Sequence, residues 1–296
     1  MSGRAESAGP APRSLTGYAV AVLRAAAPAE KIRLTRAAAA AWRSGGLSEI
    51  GEELPPNRPA RPDRPQLLPP RLMPKRRAGA ARAGRIALLH ALAHIELNAV
   101  DLAWDLIARF ARPPLTQDFC AEWLAVAAEE GEHYALLSGR LAALGAAYGD
   151  LPAHDGLWQA AAETAHDVLA RLAIVPLVLE ARGLDVTPAM IRRLDGFGDG
   201  ESAAILRRIY ADEIGHVATG RRWFARLCAA RGLPPAETFR SLVLRHFKGG
   251  LKPPFNRAAR DAAGLPPAFY EAAPMPAPAA AKPAGALTDW RGRSAG

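Results

Sequence analysis

Aromatic side chains make up only 6% of this 296-residue chain, and it has just two cysteines. Cys120 and Cys228 lie far apart with no CxxC spacing, which excludes a disulfide framework and a thiolate zinc site. Both are expected to be small buried hydrophobes in a reducing compartment. No run of 18 apolar residues occurs, so no membrane span is expected. The weak apolar patch Tyr18–Leu23, closed by Arg24, is too short for the apolar region of an export signal. These absences point to a cytoplasmic protein. What the chain does have is alanine, leucine and arginine in excess, a composition that leans towards helix.

The net charge of +9 is unevenly placed. Residues 1–80 carry a net +8, residues 81–232 a net −4 and residues 233–296 a net +5. An acidic middle is therefore flanked by two basic arms. Residues 1–14 read as disordered. Residues 15–80 read as one or two short helices, broken near Pro28, followed by a basic arm dense in proline from Pro55 to Arg77. Proline lacks the N–H donor and disfavours helix at the residue before it, so this stretch must be extended.

Residues 81–232 read as four long helices. The first is expected over about Ala83–Phe110, the second over Gln117–Gly145 with Thr116 as N-cap. A third is expected over Gly156–Arg182, ended by Gly183, with a small helical turn around Pro188–Leu194. The fourth, over Gly200–Arg231, has Asp199 as its cap. Residues 233–273 read as a last helix, near Ala236–Phe247, and an ordered extension. The Pro/Ala-rich stretch 274–296 reads as a disordered tail.

Two Glu-x-x-His steps, Glu130–His133 and Glu213–His216, stand 83 residues apart. Each follows a lone glutamate on another expected helix, Glu96 and Glu180, by 34 and 33 residues. That order is the ligand set of a dinuclear metal site inside a four-helix bundle. Helical spacing puts Glu96, Glu130, His133, Glu180, Glu213 and His216 on stripes of apolar residues that should face the core. Asp101 and Asp105 fall off the first of those stripes.

A buried carboxylate costs several kcal/mol unless a cation compensates it, and a domain has only about 5–15 kcal/mol in all. No lysine or arginine shares these stripes near the glutamates. Two divalent ions would balance four carboxylates and leave the histidines neutral. A third step, Glu163–His166, has no partner glutamate at the repeat offset, where Ala80 stands, and reads as a solvated pair. His90 and His94 read as polar surface, His154 and His246 as loop and surface residues. Glu129 and Asp212 each precede a ligand glutamate, where an acid that holds a ligand histidine would sit. Pro176, four residues before Glu180, marks a kink or a break.

The stretches HIELNAVDLAWD, EEGEHY, PLVLEARGLDVTP, DEIGH and LKPPFNRAARDAAGL resemble a bacterial ferritin-like family catalogued as domain of unknown function 455. The resemblance runs from about residue 15 to 272. It implies an all-α, ferritin-like four-helix bundle with a dinuclear centre at the six residues above. In the wider superfamily the glutamates at the positions of Glu130 and Glu213 bridge the metals. Glu96 with His133, and Glu180 with His216, would then complete one metal each.

Carboxylate and imidazole donors without thiolate suit iron first, with manganese or a mixed Fe/Mn pair second. The expected activity is an O2- or peroxide-dependent oxidation or hydroxylation of an organic substrate, with an electron donor. The superfamily offers three alternatives: ferroxidase and iron storage, tRNA hydroxylation, and a bundle that keeps metal for stability alone. Long arms at both ends would obstruct a storage cage, so a monomer or dimer is expected. Arg71, Lys75, Arg76 and Arg77 form a candidate nucleic-acid contact. The arm lacks the aromatics that stack on unpaired bases, and its Leu67, Leu68, Leu72 and Met73 suit packing onto the acidic helices instead.

Overall fold

The computed structural model describes residues 12–74, 81–115 and 117–271. Thr116, Lys75, Arg76, Arg77 and the 274–296 tail lie outside the described residues, as does most of the 1–14 stretch. Every regular element among the described residues is helical. The order is α1 (Leu15–Arg24), α2 (Pro28–Arg43), a single 3-10 turn at Pro70–Leu72, α3 (Arg82–Phe110) and α4 (Gln117–Ala143). Then come α5 (Gly156–Glu163), α6 (Val168–Ile174), a π-helical turn (Val175–Glu180), α7 (Ala181–Gly196) and α8 (Gly200–Ala230). Helices α9 (Pro235–His246), α10 (Arg257–Ala262) and α11 (Pro267–Tyr270) close the chain. The fold class is all-α, as expected.

Local chemistry sets the helix starts. The Ser14 hydroxyl accepts from the Gly17 N–H and caps α1. Pro28 occupies the first turn of α2, where its missing N–H costs nothing. Asp199 accepts from the Ser202 N–H and caps α8, the role its position suggested.

Helix α3 is the centre of the molecule. Every residue from Glu96 to Ala108 is buried, because α4, α1, α5 and α6 all pack against it. It is long and apolar enough to cross a membrane, with a mean hydropathy of 1.4 over its best window, but 72% of that window is buried inside the protein. This corrects the expectation that Asp101 and Asp105 lie off the core. Both are fully buried and each has found a cation. Lys31 from α2 reaches Asp101 at 2.7 Å, and Arg61 from the arm reaches it at 3.0 Å. Arg171 from α6 reaches Asp105 at 2.5 Å, joined by Arg109 at 2.7 Å.

The extended arm lies against the helices rather than away from them. The Leu68 N–H donates to the Ala153 carbonyl, and the Ala153 N–H to the Gln66 carbonyl. The Ala60 N–H donates to the Leu23 carbonyl, and Arg58 pairs with Asp155.

The expected third helix, 156–182, is broken between α5 and α6 and then runs on from α6 through the π-helical turn into α7. Thr164 ends α5 by turning its hydroxyl onto the Ala160 and Ala161 carbonyls, and Asp167 caps α6. Arg171 fastens the break, donating to the Thr164 hydroxyl at 3.0 Å and to the Ala161 carbonyl at 2.6 Å. Glu163 and His166 therefore do not share a helix, and both are exposed. Pro176 sits in the π-helical turn, and helix continues on both sides of it, so the chain does not break there. Gly183 does not end a helix either, because α7 continues through it and absorbs the turn expected around Pro188. The stop comes at Gly198, whose φ of 72° suits glycine.

A Cβ on Gly220 of α8 would lie 2.4 Å from the Pro176 Cβ, so glycine is what lets α8 approach the π-helical turn.

The buried Lys31–Asp101 pair yields a test. Asp101→Leu should cost about 3–5 kcal/mol, because it strands a buried ammonium. Adding Lys31→Met should recover much of that loss. Urea unfolding of the single and double variants measures both, and equal stabilities would contradict the assignment.

Candidate metal centre

Four helical segments each deliver carboxylates to one buried point. Helix α3 brings Glu96, α4 brings Glu130 and His133, the π-helical turn ends on Glu180, and α8 brings Glu213 and His216. The i, i+3 spacing within α4 and α8 puts each glutamate and histidine on one face. Glu96, Glu130, His133 and Glu213 each place one ligand atom within 4.8 Å of the others. His216 joins them through its Nδ1, which is 3.1 Å from Glu130 Oε1 and 3.7 Å from Glu213 Oε1. Glu180 stands at the edge of this group. It lines the same cavity as Glu96, Glu130 and Glu213, and one of its oxygens is buried without a partner.

Glu130 lies between the two imidazoles. Its Oε2 is 3.4 Å from His133 Nδ1, while its Oε1 faces His216 Nδ1. Glu96 Oε2 is 3.3 Å from His133 Nδ1. None of these approaches has the directional geometry of a hydrogen bond. Glu96 Oε2, both Glu130 oxygens, Glu180 Oε2, Glu213 Oε2 and both Nδ1 atoms are buried with no hydrogen-bond partner. Unpaired buried polar atoms are rare in folded proteins and call for an explanation. Here they converge on one another, which is what a cation would require.

The outer sides of the rings, by contrast, are paired. His133 Nε2 lies 3.1 Å from Asp212 Oδ2, and His216 Nε2 lies 2.8 Å from Glu129 Oε2. The pairing is crossed: α8 supplies the acid for the histidine of α4, and α4 the acid for the histidine of α8. A carboxylate that accepts the Nε2–H leaves the Nδ1 lone pair free to coordinate. Arg208 holds Asp212 in turn, at 2.6 Å.

Without a metal, protons stand in for the missing charge. Burial drives the Glu96, Glu180 and Glu213 carboxyls above their usual range, and the Glu130 and Glu213 charges around them add to it. Burial acts the same way on Glu130, but the charge of His216 and the close approach of both rings outweigh it and hold this carboxyl low. For His133 burial opposes protonation, yet Glu130 and Glu96 overcome it and push the ring up to about 11. His216 is likewise raised, against burial, by Glu130 and Glu129. This buried Glu/His group can hold a metal ion.

A cavity of about 180 Å³ opens beside the carboxylates. Glu96, Glu130, Glu180 and Glu213 line its inner end, and the rest is mostly aliphatic: Leu92 and Ile95 of α3, Leu179 of the π-helical turn, Val186 and Met190 of α7, Leu206 of α8. Leu92 and Leu206 stand on the apolar stripes of Glu96 and Glu213 that helical spacing marks out, whereas Leu179, Val186 and Met190 and the cavity itself escaped the sequence reading.

Other candidates fall elsewhere. His90 and His94 are buried, against expectation, because the loop after α4 folds over them. His94 contacts the Tyr148 hydroxyl at 2.8 Å and the His154 carbonyl, and His90 Nε2 accepts from the Gly149 N–H. His154 is half-buried, and its Nδ1 accepts from the Gly156 N–H. His246, on α9, lies beside His166 with the rings tilted and their centroids 5.4 Å apart, on segments that carry none of the four converging glutamates. Arg71 is exposed on the 3-10 turn.

An uncharacterized protein of Haemophilus influenzae is 41% identical to this chain over 229 residues, which is 74% of this chain and 78% of the relative. No solved structure matches the chain. The family described as protein of unknown function (DUF455) matches residues 24–271, a span that contains all six converging residues and both outer acids. The chain belongs to that family.

Proposed function

We propose that this protein is a dinuclear metal oxidoreductase built on a ferritin-like four-helix bundle. The bundle comprises α3, α4, the α6–α7 rod and α8, with α1, α2 and the arm packed outside it. Glu96, Glu130, His133, Glu180, Glu213 and His216 would hold two metal ions, iron first and manganese or a mixed pair second. The observation that carries this reading is the set of seven unpaired buried oxygen and nitrogen atoms on those six residues. Buried lysine and arginine do occur among the described residues, but Lys31 goes to Asp101, Arg171 to Asp105 and Arg260 to Asp185. The glutamates are left with histidine alone.

When bound there, the metal pair would supply the redox equivalents that couple reduction of O2 or peroxide to oxidation of an organic substrate. The chain's own part is to orient and to exclude. Asp212 and Glu129 fix the ring tautomers. Glu130, placed between the imidazoles, is the natural shared ligand, and its two oxygens face opposite rings. The aliphatic walls keep water from the inner end of the cavity. That cavity supports oxidation of an organic molecule over mineral storage, which needs no such chamber.

Glu130→Ala and His216→Ala should each lose most of the bound metal, while Glu163→Ala and His166→Ala keep about two ions per chain. Elemental analysis of protein from iron-supplied cells reads this directly, and equal metal content in all four variants would refute the site.

Asp212→Ala and Glu129→Ala should weaken metal binding by about 10–100-fold without removing a ligand. Competition against a chelator of known affinity measures that loss, and unchanged affinity would leave the two acids as surface residues.

Metal binding must displace the protons that His133, raised to about 11, and the high-pKa glutamates hold. Apparent affinity should therefore rise with pH through the neutral range and fall on acidification. Calorimetry in buffers of different ionisation enthalpy should show net proton release, and an affinity that ignores pH would contradict the assignment.

A further inference from the structure

The cavity beside the centre carries information about what enters it. Its volume of about 180 Å³ is close to that of apolar protein cavities that take up benzene, roughly 150 Å³. Its walls are assembled from four segments that each turn an aliphatic stripe inward. On α3 the stripe is Leu92, Ile95 and Ala99; on the π-helical turn and α7 it is Leu179, Val186 and Met190. Beyond the carboxylates at the inner end, the polar side chains of the lining are Arg182 and Thr187.

Arg182 is not poised as a clamp for an anion. Its Nη1 donates to the Lys252 and Pro254 carbonyls and lies 3.4 Å from Asp185, which ties the guanidinium to the C-terminal extension. Ile95, 43% exposed, marks an apolar entrance on the α3 side.

We infer that this cavity binds a compact, uncharged, apolar molecule: a single hydrocarbon ring or a short alkyl chain, held with its carbon skeleton against the carboxylate cluster. The inference rests on the dinuclear reading, in which two divalent ions balance the charge of the four glutamates. A neutral guest then loses nothing on leaving water. A charged guest loses its hydration and gains no paired partner. Size sets the other limit, since the aliphatic walls are parts of packed helices and do not yield to a bulkier skeleton.

Gly183 offers the test. It lies on the cavity-lining stripe of α7, four residues after Leu179 and three before Val186, so a side chain there points into the cavity. A Cβ built on it meets nothing within 4 Å. Gly183→Leu and Gly183→Phe should therefore fill the cavity in steps while the helix, and the six converging residues, stay as they are.

The experiment uses the full chain with its metal content measured, and three ring probes of matched shape: toluene, benzoate and benzylamine. Binding is followed by ligand-observed NMR and calorimetry. Toluene should bind at least about tenfold more tightly than either charged probe. Gly183→Leu should weaken it, and Gly183→Phe should abolish it, with circular dichroism and metal content unchanged. Equal toluene binding by wild type and Gly183→Phe would place the probe elsewhere and overturn the inference. Preference for benzoate or benzylamine would overturn it too, by making the site a charged one. The metal reading separates the two claims. Two ions per chain with no toluene binding defeats the cavity assignment alone. Toluene binding lost in Gly183→Phe but with no metal in wild type defeats the dinuclear reading and keeps the apolar site.

Discussion

Gathering four carboxylates, two buried and two half-buried, at one point of an aliphatic interior is the constraint around which this protein is organised. Each isolated charge would cost several kcal/mol, against a net stability of about 5–15 kcal/mol for a domain. Glu96, Glu130, Glu180 and Glu213 nevertheless approach one another from four helical segments, with two histidines as their neighbours. Such a cluster persists only with compensating positive charge. The two histidines, whose pKa values the carboxylates raise, can supply part of it, and in the proposed reading two metal ions supply it.

The same core solves a second burial problem in the opposite way. Asp101 and Asp105 sit on α3 one and two turns beyond Glu96 and are just as buried, yet each meets a lysine or arginine directly. Lys31 and Arg171 are themselves fully buried, Lys31 on α2 outside the glutamate cluster and Arg171 on α6, about two turns before the α6–α7 rod reaches Glu180. The two solutions stand side by side on one helix. Where cations from the chain could reach, the chain placed them. Where they would have occupied the centre, it placed none.

Irregular backbone positions the site as much as regular helix does. The π-helical turn ends on Glu180, and α8 can come close to it only because position 220 is glycine. The break between α5 and α6, pinned by Arg171, also brings that arginine to Asp105. One side chain therefore ties the broken segment to α3, which carries Glu96. On the outside, Arg61 of the arm reaches Asp101 and the Asn98 amide, so the basic arm helps cover the central helix. That use of positive charge is local: it pairs a basic segment with the acidic helices it lies against.

The repeat of spacing between Glu96, Glu130–His133, Glu180 and Glu213–His216 made the candidate ligands legible in the sequence, because a period of 3.6 residues dictates which side chains share a face. The cap at Asp199, the all-helical class and the positions of Glu129 and Asp212 beside the ligands were legible for the same reason: they are local. What only the tertiary structure decided was everything that depends on which surfaces meet. Asp101, Asp105, His90 and His94 looked exposed because one helix alone cannot reveal that α1, α2 and two loops will cover its other faces. The third helix looked continuous because Thr164, Asp167 and Pro176 are each tolerated in a helix to some degree. Their combined effect appears only when Arg171 and Gly220 supply long-range partners. The cavity, too, exists in no single segment. It is the space left between four stripes, and a sequence can specify the stripes without showing the gap between them.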